Sequence, residues 1–245
     1  PCKLANPRQT RTGQVDAQFM PMTGKRKAKM TDKDIYLWRA TIKTASQDGR
    51  AFEFCQQNNI LGVGWCLRDS NDQPYVPASI EECEKLGREQ YDSSRGFVVS
   101  IHALKEMAVD DLIWTRHNGI YYLCRVLSTW KYSCDAAHVY EDVINYVDVE
   151  FHEIGTVEMV PGKIVNSFRA RSALQRITDD IQLRFSEHLY NAITGTQFYP
   201  ECSIKKEEIL DFLQPEDVEE AVSLYLQLEK GYLIYSSTNK LDTQT

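Results

Sequence analysis

The sequence predicts an α+β fold: a small barrel-like sheet with inserted helices, followed by a helical C-terminal region. Three observations lead to this prediction. Residues 35–168 contain about six short runs with the alternation or the β-branched content of strands. Helical patterns separate the early runs. Beyond residue 170, apolar residues recur at helical spacing behind residues that commonly cap helices.

The clearest strand signal is a hairpin centred on Asn118-Gly119. This dipeptide favours a type I′ turn, because both central residues of that turn need positive φ angles. The turn pairs Arg116 with Tyr121 across the hairpin. Since side chains alternate along a strand, the two predicted faces are Leu112, Trp114, Arg116, Tyr121, Leu123 and Arg125, against Ile113, Thr115, Tyr122, Cys124 and Val126. The first face mixes aromatic rings with guanidinium groups, which indicates a wall shared between core and a polar ligand.

Strands and helices alternate before the hairpin. The predicted elements are a strand over 35–44, a helix over 51–58, a strand over 60–67, a helix capped by Ser79 and Glu82, and a helix over 97–107. The second strand contains Gly62 and Gly64. A glycine inside a strand marks either a bulge or a close approach by something else. A bulge and room for a ligand beside Trp65 are both open interpretations.

After the hairpin, the patterns predict strands first and helices later. Strands are expected over 143–154, 157–160 and 163–168, the last two joined by a turn at Pro161-Gly162. Helices are expected behind caps at Ser172, Thr178 and Ser203, and from Pro215 to a stop at Gly231. Residues 232–235 then start a strand without a downstream partner, which suggests a second domain that is cut short.

The charge of the chain is unevenly distributed. The 245 residues carry a formal net charge of −7, which argues against non-specific nucleic-acid binding because phosphate contacts need Lys and Arg. Residues 177–245 hold thirteen acidic against five basic residues, and their helices are candidates for binding a protein partner. Residues 1–33 lack apolar periodicity and are predicted to be a disordered basic leader.

Several functional classes lack their signatures. No apolar run reaches the length of a membrane span and no signal-peptide pattern opens the chain, so a cytoplasmic protein without membrane contact is expected. The seven cysteines form no Cys-x-x-Cys pair, which favours buried free thiols over a zinc site or disulfides. No nucleophile elbow, phosphate loop or His-Glu-x-x-His motif occurs. Catalytic residues, metals and cofactors are therefore not predicted.

The aromatic residues are the better functional signal. All four tryptophans lie on or beside predicted strands, with arginines nearby in sequence: Trp38, Trp65, Trp114 and Trp130, with Arg39, Arg116 and Arg125. Aromatic faces stack on bases, and guanidinium groups contact phosphates or base edges. Enzymes hold a base extruded from a duplex in this way. The alternative for each tryptophan is an ordinary place in the core.

Five segments follow one another in a suggestive order: Trp-Arg-Ala-Thr (38–41), Asn-Ile-Leu-Gly-Val-Gly-Trp (59–65), Asp-Asp-Leu-Ile-Trp-Thr-Arg (110–116), Gly-Ile-Tyr-Tyr-Leu-Cys-Arg-Val (119–126) and Val-Pro-Gly-Lys-Ile (160–164). Together they resemble the EVE-type branch of the PUA-like domains, over about residues 34–170. The resemblance implies a small pseudo-barrel that binds nucleic acid, often by accepting a modified base in an aromatic pocket. By position, it implies pocket residues Trp38, Trp65, Trp114 and Tyr122, and polar contacts from Arg39 and Arg116. The net negative charge of the chain is a departure from this family's pattern, and it argues against tight, non-specific binding to duplexes.

Residues 216–234 resemble the opening helix and strand of Mrr-like restriction endonuclease domains. The resemblance implies that residues 171–245 contain the truncated start of a nuclease-like domain. The acidic and lysine residues that hold the metal in such nucleases come later, and no Asp…Glu-x-Lys arrangement occurs here. A modified-base reader fused to a nuclease is the architecture of modification-dependent restriction, so a targeting role in restriction or antiviral defence is expected.

Two functions remain in view. The first is a nucleic-acid reader for a modified or flipped base, with DNA favoured over RNA as the partner. The second is a non-enzymatic protein-interaction module whose aromatic residues all lie in the core. An electropositive groove with accessible Trp and Arg side chains would favour the first.

Overall fold

The computed structural model describes residues 34–42, 49–91, 94–201 and 205–232. These residues belong to one compact unit. Three predicted features lie outside the described residues: the leader over 1–33, the cap at Ser203, and residues 233–235 of the last predicted strand. None of the helices in the described part of the chain is long and apolar enough to cross a membrane.

The fold is α+β, as predicted. The strands are β1 (Leu37–Ala40), β2 (Ile60–Val63), β3 (Leu112–His117), β4 (Ile120–Val126), β5 (Lys131–Tyr132), β6 (Asn145–Gly155) and β7 (Leu174–Ile177). The α-helices are α1 (Arg50–Asn58), α2 (Ile80–Gln90), α3 (Arg95–Glu106), α4 (Ala136–Glu141), α5 (Gly162–Ser167), α6 (Asp180–Thr194) and α7 (Pro215–Leu228). Short 3-10 helices span Val157–Met159 and Lys206–Asp211.

The strands form one curled sheet with the order β2-β6-β4-β3-β1-β7, and β5 pairs with β6 beside this path. β1 and β3 are parallel, whereas the other pairs are antiparallel. The first half of β6 pairs with β2 and its second half pairs with β4. β6 therefore links the two parts of the curled sheet.

The hairpin prediction is confirmed in detail. Arg116 pairs with Tyr121, and the turn residues Asn118 and Gly119 have φ angles of 49° and 80°. The two faces of the hairpin enter different parts of the core. One packs with residues of α1, α2 and α3, and the other packs with residues of α5 and α6. The hairpin is thus the central wall between two apolar clusters.

The predicted strand pair over 157–168 is wrong. The chain there forms a 3-10 helix followed by α5. Val160, Ile164 and Phe168 recur at every fourth position, and all three are buried in the same cluster as Trp114. Spacing of four places side chains on one face of a helix, so the apolar content of this segment serves a helix.

The predicted helix beginning at residue 173 is also wrong. Leu174–Ile177 is instead β7, which pairs antiparallel with β1. The residues after 170 thus add a strand to the same sheet as the preceding region. α6 follows, capped by Asp179 and not by Thr178, since the Asp179 side chain accepts hydrogen bonds from the Ile181 and Gln182 N–H groups. Pairing along an open sheet edge overrides weak local helix signals.

Candidate nucleic-acid interface

A groove of about 1080 Å³ opens where β2 ends. We call it the Trp65 groove and define it by Gly64, Trp65, Arg116, Asp142 and Arg171, which lie among its lining residues. β2 leads into Gly64 and Trp65, β3 carries Arg116, Asp142 follows α4, and Arg171 precedes β7. Four separate parts of the chain therefore meet at one opening.

Trp65 has an unusual backbone. Its φ angle of 69° lies in the left-handed region, which bulky L-residues seldom occupy and which is often found at functional sites. The preceding Gly64 has no space for a side chain, because an added Cβ would lie 2.0 Å from Oδ1 of Asp142. At Gly62, an added Cβ would lie 2.5 Å from the Asn145 carbonyl of β6. Gly62 therefore permits close strand packing, and Gly64 admits a carboxylate that lines the groove.

The four tryptophans differ in what their indole N–H groups do. Trp38 donates to Oδ2 of Asp111 at 2.8 Å, and Trp114 donates to Oγ of Ser186 at 2.9 Å. Trp130 donates to Oδ1 of Asn145 at 3.1 Å. Within the described residues, the Trp65 indole is the one without a hydrogen-bond acceptor. It is half-buried, and it packs edge-on against Phe97 with ring centroids 5.8 Å apart.

The structure brings two of the six sequence-predicted site residues, Trp65 and Arg116, to the groove. Trp38 and Trp114 are 1% and 0% exposed, on opposite faces of the sheet. Tyr122 is buried and packs against the rings of Phe52 and Phe151, and burial raises the pKa of its phenol. Trp38, Trp114 and Tyr122 are thus core residues that do not line the Trp65 groove and are not accessible for stacking in this conformation. Trp38 lines a second groove, beside α3.

Arg39, the sixth predicted residue, is fully buried. Its guanidinium donates to the backbone oxygens of Ser172 at 2.6 Å and Ala170 at 3.4 Å, and to Oε1 of Gln175 at 2.7 Å. Burial and the nearby charge of Arg116 lower its pKa, although an arginine remains protonated in proteins. Arg39 therefore fixes the segment 170–172, which lines the groove and presents Arg171 to it.

Arg116 is exposed and carries an available charge. Its guanidinium lies 5.0 Å from the centroid of the Phe168 ring and donates to Oη of Tyr121 at 3.3 Å. No carboxylate among the described residues forms an ion pair with it. The two aromatic contacts hold the side chain, while its remaining N–H groups are free to meet an anion.

Asp142 is the one acidic side chain among the described residues that line the groove. Desolvation raises the pKa of its carboxyl group, and a hydrogen bond from the Trp65 N–H opposes that shift. Tyr91, another lining residue, donates its hydroxyl to the Cys66 carbonyl at 2.6 Å, and burial raises its pKa to about 12. Asp142, Tyr91 and Arg171 were not predicted from the sequence. The one sequence signal that pointed to this place was Gly64, whose missing side chain leaves room for the Asp142 carboxylate.

The rest of the polar chemistry is sparse. Across the described ranges, no three or more His, Cys, Asp and Glu side chains are grouped so as to hold a metal ion. Cys55, Cys83 and Cys124 are buried free thiols, as predicted, whereas Cys66 and Cys134 are free thiols that are only half-buried. Burial raises the pKa of Cys55 to about 12. In comparisons with known proteins, no family model matches the chain and no curated protein matches it.

Proposed function

We propose that this chain is a nucleic-acid reader that accepts a modified or flipped base in the Trp65 groove, with DNA as the favoured partner. The observation that carries the proposal is the state of Trp65. Among the described tryptophans, it alone combines an indole N–H without an acceptor, a left-handed backbone and a place in a groove shared with an arginine free of carboxylates. This combination supports a role for Trp65 in contacting a ligand.

Three properties of the groove support binding of an extruded nucleotide. The Trp65 ring provides a face for stacking, which is worth about 1–3 kcal/mol per base. Arg116 can form two parallel hydrogen bonds with a phosphate. The volume of about 1080 Å³ slightly exceeds the roughly 300–1,000 Å³ typical of ligand clefts, which leaves room for a base with its sugar and an added substituent.

Asp142 supports recognition of a base that bears an exocyclic amine. A carboxylate accepts a hydrogen bond from the amino group of cytosine, and Asp142 lies against Gly64 and accepts the Trp65 N–H. Its position is thus tied to that of the stacking ring. We infer that Trp65 holds the plane of the base while Asp142 contacts its edge.

The acidity of the chain does not oppose this proposal locally. The lining of the Trp65 groove contains Arg68, Arg116 and Arg171 against the single acid Asp142 among the described residues, and Arg68 pairs with Asp72 outside the lining. Much of the negative charge lies beyond residue 176. Local positive potential attracts nucleic acid even when net charge is negative. The place of the chain in restriction or antiviral defence rests on the resemblance of residues 216–234 and is part of the proposal.

A second function is supported by α7. Its side chains Val222, Tyr225 and Leu228 are 51%, 50% and 78% exposed, and its first turn carries Glu216 and Asp217. An exposed apolar face on an acidic helix suits a protein partner. This interaction is compatible with base reading, because the α7 residues do not line the Trp65 groove.

The proposal is tested by fluorescence anisotropy with labelled oligonucleotides at fixed salt. Trp65→Ala is expected to weaken binding about 5- to 150-fold, the equivalent of one lost stacking contact. Trp130→Phe is the matched control, because Trp130 is also half-buried but donates its indole N–H to Asn145. Equal affinity for wild type and Trp65→Ala would remove Trp65 from the site and contradict the proposal.

A further inference from the structure

A second groove, of about 780 Å³, lies between α3 and the chain that leads into β7. We call it the Arg95 groove and define it by Arg95, His102, Arg171, Gln175 and Arg176, which are among its lining residues. Among the described lining residues, Glu106 is the one that carries a carboxylate. The groove is therefore basic, although the chain as a whole is acidic.

The arginines of the described ranges differ in whether a carboxylate pairs with them. Arg88, Arg125 and Arg184 each form a close ion pair with a carboxylate and line neither groove. Arg68 pairs more loosely with Asp72, at 3.6 Å, and lines the Trp65 groove. Within the described ranges, five other arginines form no ion pair with a carboxylate: Arg95, Arg116, Arg169, Arg171 and Arg176. All of these except Arg169 line one groove or both. Uncompensated guanidinium groups are thus gathered at the two grooves.

The two grooves adjoin each other. Residues 170–172 line both of them. Gly96 of the Arg95 groove also lies next to the Trp65 ring, because a Cβ added there would be 3.5 Å from Cζ2 of Trp65. The buried Arg39 holds the shared segment through the Ala170 and Ser172 carbonyls. A ligand that reaches from one groove into the other therefore crosses a wall fixed by hydrogen bonds.

We propose that the Arg95 groove binds the phosphate backbone of the strand whose base enters the Trp65 groove. This inference rests on the proposed function and adds the path of the flanking nucleotides. Arginine suits phosphate because its planar fork donates two parallel hydrogen bonds. The Arg176 guanidinium lies 3.4 Å from the centroid of the Tyr36 ring, so it is held flat while its N–H edges remain available. Arg171 lines both grooves, so it binds the phosphate at the point where the strand passes from one groove into the other.

The experiment measures the salt dependence of binding by the full chain to a 12-nucleotide single strand. The double variant R95Q/R176Q is compared with K85Q/K206Q, which removes the same charge from exposed lysines that line neither groove. Loss of two phosphate contacts is expected to reduce the slope of log K against log salt by about 1.4, and to weaken binding about 25-fold at 0.1 M salt. Preference among bases is expected to be unchanged, and thermal melting verifies that each variant is folded.

The outcomes separate this inference from the proposed function. The phosphate path would be overturned if R95Q/R176Q and K85Q/K206Q gave equal slopes of log K against log salt. If Trp65→Ala still weakened binding in that case, the base site would remain in place. Failure of the wild-type chain to bind this strand, its duplex and their modified forms at any salt concentration would overturn both. A reduced slope in R95Q/R176Q alone, with intact base preference, supports the path.

Discussion

Asp111 is the buried carboxylate that joins the start of β3 to β1, and its replacement gives the sharpest stability prediction. It is 0% exposed. Oδ2 accepts hydrogen bonds from the Trp38 indole at 2.8 Å and the Ala108 N–H at 3.1 Å, and Oδ1 accepts from the Tyr36 N–H at 3.0 Å. Asp111→Ala would leave these three donors without their acceptor.

The expected cost follows from these bonds. A buried donor left without a partner costs about 1–3 kcal/mol, and the two backbone donors are only partly buried. The sum is about 3–6 kcal/mol. For a domain of this size, each kcal/mol lowers the melting temperature by about 2–4 °C, so a decrease of about 6–24 °C is expected.

Urea denaturation of wild type and Asp111→Ala measures this difference directly through the midpoint and the slope. Asp148→Asn is the control, because its partly exposed carboxylate pairs with Lys131 at the surface, where such pairs contribute at most about 1 kcal/mol. A loss below about 1 kcal/mol in Asp111→Ala, with an unchanged slope, would refute the claim that Asp111 holds β1 to β3.

Further predictions concern pH, turn geometry and charge. Burial and the charge of Asp180 raise the pKa of the Glu187 carboxyl in the fold, so wild type loses stability as pH rises through that pKa. Glu187→Gln, which does not titrate, is therefore expected to unfold at higher urea than wild type at pH 7 but not at pH 3. Gly119→Ala is expected to cost about 1 kcal/mol by urea denaturation because φ is 80°. Gly64→Ala should cost more, because its Cβ would overlap the Asp142 carboxylate. Arg116→Gln is expected to reduce the salt slope of single-strand binding by about 0.7, equally for modified and unmodified probes.

Local chemistry accounts for what the sequence predicts well. The Asn118-Gly119 turn specifies its own register, and the register then decides which hairpin side chains share a face. Ser79 caps α2 by accepting the Glu82 N–H, as its spacing predicts. By contrast, β7 forms because the edge of β1 is open to pairing, and nothing near residue 174 in the sequence indicates that edge.

The site shows the same division. The sequence indicates that tryptophans and arginines are involved, but it cannot separate the accessible ring from the buried ones. The buried indole of Trp114 donates its hydrogen bond to Ser186, which lies 72 residues further along the chain. Asp142 and Arg171 reach the Trp65 groove from distant loops. Such pairings depend on tertiary packing, which the local pattern does not record.

The most direct test of base reading by the Trp65 groove is binding of the chain to matched duplex and single-stranded oligonucleotides at fixed salt, unmodified or carrying methylated or hydroxymethylated bases. We expect a preference for one modified probe, lost in Trp65→Ala and kept in Trp130→Phe. No binding to any probe at low salt would contradict it, and the exposed face of α7 would then be the surface to examine for a protein partner.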